Sequence, residues 1–371
     1  MEPREEDQAR LEGATGMTAL DQRGNAGTTA VRDAHRFDEA ALAIWMAENV
    51  DDYRGGLTIS QFKGGQSNPT YRLDAGDRAY VLRRSPPGPL VKGAHNVLRE
   101  ARILSALAAT DVPVARIHGV CADSGIIGTP FFVMEMVAGR IFWDATFAQV
   151  PDGERAAYFD AMNTTIAALH AVDYAAIGLG DFGRPGNYFA RQIARWSKQY
   201  LEDSDAGRDA DMDLLVEWLP ANIPDGDETR IVHGDFRCDN LIFDSVAPRI
   251  LAVLDWELST LGHPLADFAY HAIMYRMPPD IVAGLVGADL AALGLPSESD
   301  YVAAYCGRTG RAGIADYDYY IAFNFFRLAA IFHGIKGRVM RGTAASGHAR
   351  ERAASFPRLA RLAREAMEAC R

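Results

Sequence analysis

Residues Ile231 to Phe243 (IVHGDFRCDNLIF), followed after a short turn by Arg249 to Glu257 (RILAVLDWE), constrain this chain more than any other stretch. Short apolar runs bracket a polar loop, so the pattern reads as strand, loop, hairpin and a strand ending in acid. Asp235 and Asn240 stand on the loop and Asp255 closes the next strand. A carboxylate, an amide and a second carboxylate can therefore converge on one site suited to a metal ion and phosphate.

The spacing of His233, Gly234 and Asp235 with Asn240, then Asp255 to Glu257, then Gly262 to Pro264 and Asp267, resembles the aminoglycoside phosphotransferase family of kinase-like enzymes. Several fixed spacings within one short stretch are specific, where a lone His-Gly-Asp would mean little. A narrower similarity, carried by residues 254–267 and 187–200, is to the branch fused to acyl-CoA dehydrogenases in some larger proteins. The resemblance covers roughly residues 37–365. It implies an α+β, protein-kinase-like bilobal fold with a small antiparallel-sheet N-lobe and a larger, mainly helical C-lobe, and it implies ATP and Mg²⁺ as cofactors.

Length and composition fit that expectation. A chain of 371 residues has room for one large or two modest domains. The net charge of -11 argues against general nucleic-acid binding. No apolar run reaches transmembrane length and no charged start leads into an apolar segment, so a cytoplasmic protein with no membrane partner is expected. The cysteines, Cys121, Cys238, Cys306 and Cys370, are far apart and form no Cys-x-x-Cys pair, which indicates neither a disulfide framework nor a zinc site.

Along the chain, residues 1–35 lack apolar periodicity and read as a disordered tail, with Met17 as a second candidate start. A nucleotide-binding lobe is expected over 36–138: a helix over 37–50, strands at 57–62, 70–73 and 79–83, a helix over 95–109, and a buried strand at 130–137 that leads into a hinge at Ala138-Gly139. A helical catalytic and substrate lobe is expected over 139–371, with helices at 153–171, 188–202, 211–219, 264–275, 298–307, 316–341 and 350–370.

The resemblance assigns roles by position. Asp235 is the expected catalytic base, with Arg237 beside it either offsetting phosphate charge or making a salt bridge at the mouth of the cleft. Asn240 and Asp255 are the expected metal ligands. Glu257, two residues beyond Asp255, would share its strand face if the extension persists and so add a ligand or orient a metal-bound water. His233 is expected to brace the loop, Asp267 to hold it by hydrogen bonds, and Cys238 to act as a small filler. In the first lobe, Gly64, Gly65 and Ser67 lie where a phosphate-covering turn would be, although a plain hairpin turn explains them nearly as well. Arg83 takes the place of the phosphate-gripping lysine of protein kinases, a departure in reach and geometry, with Glu100 as its partner. Glu135 and Met136 would present hinge backbone to the adenine edge.

Arg191, Arg195 and Lys198 recur at helical spacing beside Tyr188 and Trp196, giving a basic stripe next to aromatic surface that suits an anionic, partly apolar substrate such as a CoA ester, or else a solvated helix face. His333, Lys336, Arg338 and Arg341 form a second basic run near a helix end, where the helix dipole alone can account for them. The expected activity is ATP-dependent phosphorylation of a hydroxyl on a hydroxyacyl-CoA or related metabolite, with a functional link to an acyl-CoA dehydrogenase and no dehydrogenase activity in this chain. Two alternatives stand beside it: a kinase for an aminoglycoside or other cationic small molecule, and a non-catalytic nucleotide- or CoA-binding module.

Overall fold

Alternation of buried and outward residues builds the first sheet. In β3 (Thr70–Ala75) the side chains of Tyr71, Leu73 and Ala75 point into a core, while the intervening residues are half-buried. Its neighbour β4 (Arg78–Arg84) is buried along its last five residues because it is paired on both sides, with β3 and with β6 (Phe131–Glu135). The full antiparallel order is β1-β2-β3-β4-β6-β5, with β1 at Thr28–Thr29, β2 at Leu57–Phe62 and β5 at Ile117–Cys121. These coordinates are a computed structural model that describes residues 27–63, 68–88, 96–343 and 349–370.

The described residues form two units, one comprising the chain up to Ala108 with Val114–Ala138, the other Ala109–Pro113 with Gly139–Arg371. In the first unit, α1 (Glu39–Asn49) starts at Asp38, whose side chain accepts the Ala41 amide, and presents Leu42, Trp45 and Met46 to Tyr71, Leu73, Leu82, Phe131 and Val133 of the sheet. The second helix, α2 (Val97–Leu107), is capped by Asn96 and buries Val97, Ala101, Leu104 and, unusually, Glu100. A four-residue helix, α3 (Ser124–Ile127), precedes β6.

Three of the six strands of this sheet lie outside the three expected around residues 57–83. β6 falls within the buried strand expected at 130–137. β5 escaped notice because it is short, carries Gly119 and shifts register between Ile117 and Gly119, so its burial does not alternate. Of the expected tail, residues 1–26 lie outside the described residues. The last part is tied down instead: Thr28–Thr29 pair with Gln61–Phe62, and His35 holds Gln61 Nε2 at 2.8 Å and the Tyr71 hydroxyl at 2.9 Å. A two-residue strand and a single turn carry no periodicity for a sequence to display.

The second unit is mainly helical: α4 (Asp152–Ala171), α5 (Tyr188–Glu202), α6 (Ala210–Ala221), α7 (Pro264–Ala272), α8 (Glu298–Thr309), α9 (Tyr317–Met340) and α10 (Ala349–Ala369). α9 is buried on nearly every side between α7, α5 and α10. Two small sheets interrupt the helices. β7 (Arg230–Val232) pairs with β10 (Thr260–Gly262), and β8 (Leu241–Phe243) forms the expected hairpin with β9 (Ile250–Val253). Among the described residues no helix is long and apolar enough to cross a membrane.

Candidate active site

The loop between β7 and β8 is held from below by one carboxylate. Asp267, in the first turn of α7, accepts the His233 amide on Oδ2 and the Gly234 amide on Oδ1, each at 2.7 Å, while His170 Nε2 lies 3.2 Å from Oδ2. Burial alone would raise this carboxyl; the His170 hydrogen bond and the backbone donors outweigh it and hold Asp267 below the usual carboxylate range. His233 braces the loop, as expected. Its Nε2 donates to the Leu254 carbonyl at 2.8 Å and its Nδ1 accepts the Asp235 amide at 3.2 Å, which assigns one neutral tautomer.

With the backbone so fixed, Asp235 is gripped from three directions. Asn240 Nδ2 donates to its carbonyl at 2.9 Å and to Oδ2 at 3.1 Å. Tyr270 donates its hydroxyl to Oδ1 in a short hydrogen bond, and Arg237 Nε lies 3.4 Å from the same oxygen. Arg237 also donates to Asp239 Oδ2 at 2.7 Å. Burial works against the Arg237 charge, but Asp239 and Asp235 more than offset it and raise its pKa; Asp239 in turn is pushed up by its burial. Burial likewise raises the thiol of Cys238, which makes it an inert filler.

Asn240 and Asp255 stand at the same end of the β8-β9 hairpin, because Leu254 N donates to the Asn240 carbonyl at 2.8 Å and extends the ladder by one step. With Nδ2 engaged by Asp235, the amide oxygen is the atom Asn240 can offer a cation. The expected strand face shared by Asp255 and Glu257 does not exist. β9 ends at Val253, Asp255 adopts a left-handed φ of 61°, and residues 256–258 form a 3₁₀ turn. Trp256 turns the chain by donating its Nε1 to the Val253 carbonyl at 2.9 Å, so the i, i+2 argument for Glu257 fails. Among the described residues no three His, Cys, Asp or Glu side chains gather as a preformed metal cluster.

Four residues at this site were not singled out in the sequence. Asp239 sits between Cys238 and Asn240. Tyr270 lies three residues after Asp267, one helical turn along the same face, a spacing that could have flagged it. Arg327 donates to the Gly234 carbonyl at 2.7 Å and stacks on Tyr270 at 5.2 Å; a lone arginine within the apolar run FNFFRLAAIF was its signal. His170, near the end of α4, is the fourth.

In the first unit, Arg83 Nε donates to Glu100 Oε2 at 2.8 Å with both side chains buried. Glu135 ends β6 and pairs through its backbone with Arg116; Met136 follows it. Gly64, Gly65 and Ser67 lie outside the described residues. On α5, Arg191 donates to the Arg184 carbonyl at 2.6 Å, Arg195 stacks on Trp196 at 4.9 Å, and Lys198 lies 3.7 Å from Glu202 on an exposed face. The buried Tyr188 hydroxyl is raised by its burial and feels the charges of Arg327 and Asp267, and its ring lies against Gly262 of β10, the strand paired with β7. The second basic run is structural: His333 and Lys336 donate to the Gly207 and Ala206 carbonyls, and Arg341 pairs with Asp203 and Asp205.

The model of the phosphotransferase enzyme family matches residues 58–307. The chain belongs to that family. This phosphotransferase is a small-molecule kinase by class, with the kinase-like α+β fold of its structural neighbours. A protein of Ralstonia eutropha JMP134, named for the aminoglycoside phosphotransferases, is 47% identical and superposes with a TM-score of 0.84 over 91% of this chain and 100% of its own. Aminoglycoside phosphotransferase APH(4)-Ia, as a thermostable mutant in ternary complex with AMP-PNP and hygromycin B, shares 15% identity at a TM-score of 0.57 over 88% of this chain and 98% of its own, a likeness of fold. Acyl-CoA dehydrogenase family member 10 of Mus musculus is 42% identical over 343 residues, 92% of this phosphotransferase but 32% of the mouse protein. The family member 11 relative of Rattus norvegicus is likewise matched over 42% of its length, so the chain spans well under half of these curated relatives.

Proposed function

We propose that this phosphotransferase uses ATP and Mg²⁺ to phosphorylate a hydroxyl of a hydroxyacyl-CoA or related acyl compound. The observation that carries the reading is Asp235, fixed by Asn240, Tyr270 and the Asp267-held loop. In that role Asp235 accepts the proton of the attacking hydroxyl as its oxygen bonds to the γ-phosphorus and the bond to ADP breaks. Mg²⁺, when bound, offsets negative charge on the phosphates. The amide oxygen of Asn240 and the Asp255 carboxylate are hard donors that fit such an ion, and with Glu257 off the strand face the proposal keeps these two protein ligands.

Arg237 holds the Asp235 and Asp239 carboxylates together and keeps Asp235 oriented. In the nucleotide-binding unit, Arg83 steadied by Glu100 is assigned to the phosphates, residues 64–67 to their cover, and the backbone of Glu135 and Met136 to adenine; a structural neighbour carrying AMP-PNP supports a nucleotide at such a site. The acyl assignment is supported by the names of the curated relatives and by the basic stripe of Arg191, Arg195 and Lys198 on α5. The same names support a working link to an acyl-CoA dehydrogenase. The hygromycin B held by a neighbour keeps a cationic acceptor as the second reading.

Mg²⁺-dependent ADP release from ATP, measured against hydroxyacyl-CoAs, free hydroxy acids and aminoglycosides, tests it. Release with CoA esters is the expected result; release with aminoglycosides alone overturns the acceptor class. Asp235→Asn should lower kcat by about 10²–10⁴-fold, the scale of a lost general base, while ATP still binds. Equal turnover in that variant sinks the assignment.

A further inference from the structure

Beside the catalytic loop lies a cavity of about 40 Å³ lined in part by Arg237 and Tyr270, the two side chains that meet Asp235 Oδ1. Most of the remaining wall is apolar, with Met274, Met277, Val282 and Leu328, and His271 and Cys238 complete it. The cover is built for the purpose of closeness. Leu285 N donates to the Met274 carbonyl at 2.8 Å and Val286 N to the Met277 carbonyl at 3.2 Å, which stitches the segment carrying Val282 and Ala283 over the end of α7. A Cβ at Gly284 would come within 1.9 Å of the Met277 oxygen, so only glycine allows this approach.

One probe-sized water needs roughly 10–15 Å³ of such space, so the cavity has room for about three methylene-sized groups. Apolar walls disfavour filling it with water, and thioether side chains adapt to an alkyl chain. The polar side chains on its wall are engaged: His271 holds the Phe236 carbonyl and the Tyr301 hydroxyl, and Tyr270 and Arg237 meet Asp235. Arg237 Nε, buried there, makes no hydrogen bond among the described residues.

We propose that this cavity is an acceptor subsite that receives a short unbranched hydrocarbon arm, about three carbons long, attached to the carbon whose hydroxyl faces Asp235. The inference rests on the kinase reading for the role of Asp235, and it narrows the acceptor to one with an alkyl branch at the reacting carbon. Polyhydroxylated cationic sugars offer no such arm.

The first test is kcat/KM for hydroxyacyl-CoAs in which the hydroxyl-bearing carbon carries hydrogen, methyl, ethyl, propyl, butyl or hexyl. Each added carbon should raise kcat/KM about fourfold up to roughly propyl, the scale of burying one methylene, and longer arms should lose the gain. Ala283→Leu adds three carbons to the cavity and should flatten the rise while leaving the unbranched acceptor within about twofold. Val282→Ala, which enlarges the cavity and is the safer change for folding, should move the optimum to a longer arm. A flat or falling series in the wild type, or a rise untouched by Ala283→Leu, overturns the subsite.

If no hydroxyacyl-CoA is phosphorylated, the CoA acceptor fails and the cavity is read separately. Saturation-transfer NMR of 1-propanol, 1-butanol and 1-hexanol with the full chain should label the propanol and butanol methyl groups, and the signal should vanish in Ala283→Leu. No labelling, or equal labelling in the variant, overturns the proposal independently of the kinase reading.

Discussion

Asp267 shows how much a single residue carries. It receives two backbone amides at 2.7 Å and a histidine, so replacing one oxygen by an NH₂ group turns a donor toward a donor. Asp267→Asn should destabilise the protein by about 2–4 kcal/mol, seen as a lower urea midpoint at unchanged slope, and should remove activity with it. Tyr270 acts on Asp235 by direct hydrogen bond, so Tyr270→Phe should lower kcat by about tenfold, within the range a misplaced group costs, while the KM for ATP stays within twofold. An unchanged kcat would show that Tyr270 does not position the base. The roles of Asp267 and His233 in bracing the loop were legible in the sequence because both residues belong to the motif that carries the family resemblance, although their backbone partners lie 21 to 34 residues away. Arg327 and His170 were not, because nothing local ties them to residues 233–235.

Helices were easier to read than strands at the scale of elements. Apolar periodicity sustained over many residues marks α5 at Tyr188–Glu202 and α9 at Tyr317–Met340 within a residue of their expected ends. The strands that were missed are short or irregular, and the Asp255 strand end was misread because Trp256 and Asp255 fold a run that alternates in sequence. The docking of α5 on β10 depends on Gly262: a Cβ there would lie 2.7 Å from the Tyr188 ring and 2.8 Å from Val232 Cγ2. Gly262→Ala should therefore cost about 1–3 kcal/mol of stability through overpacking, readable as a lower urea midpoint. Because Tyr188 lies in the field of Asp267 and Arg327, the same variant should weaken activity more than nucleotide binding.

For the molecule as a whole, buried imidazoles set a pH dependence. Burial lowers His263 and His271 to about 4 in the folded state, whereas both rings titrate near 6.5 once exposed. Between those values the unfolded chain binds protons that the folded chain refuses, so stability should fall as pH drops from about 6.5 toward 4, by on the order of 3 kcal/mol for each ring. Urea midpoints at pH 7.5 and 5 read this slope; the double change His263→Asn and His271→Asn should flatten it, and an unaltered slope would place the effect elsewhere. Asp267, held below the usual range, is charged across this window and adds its own loss only at still lower pH.

The sequence by itself determined the family, the α+β class and most helices, and it set Asp235, Asn240, Asp255 and Asp267 in one motif, because periodicity and motif spacing are written along the chain. Only the tertiary structure decided that Tyr270 and Arg327 join Asp235 and its loop, and that a largely apolar cavity lies beside them. Those features depend on how α4, α7 and α9 pack, and packing brings together side chains some 30–100 residues apart whose meeting no local pattern encodes.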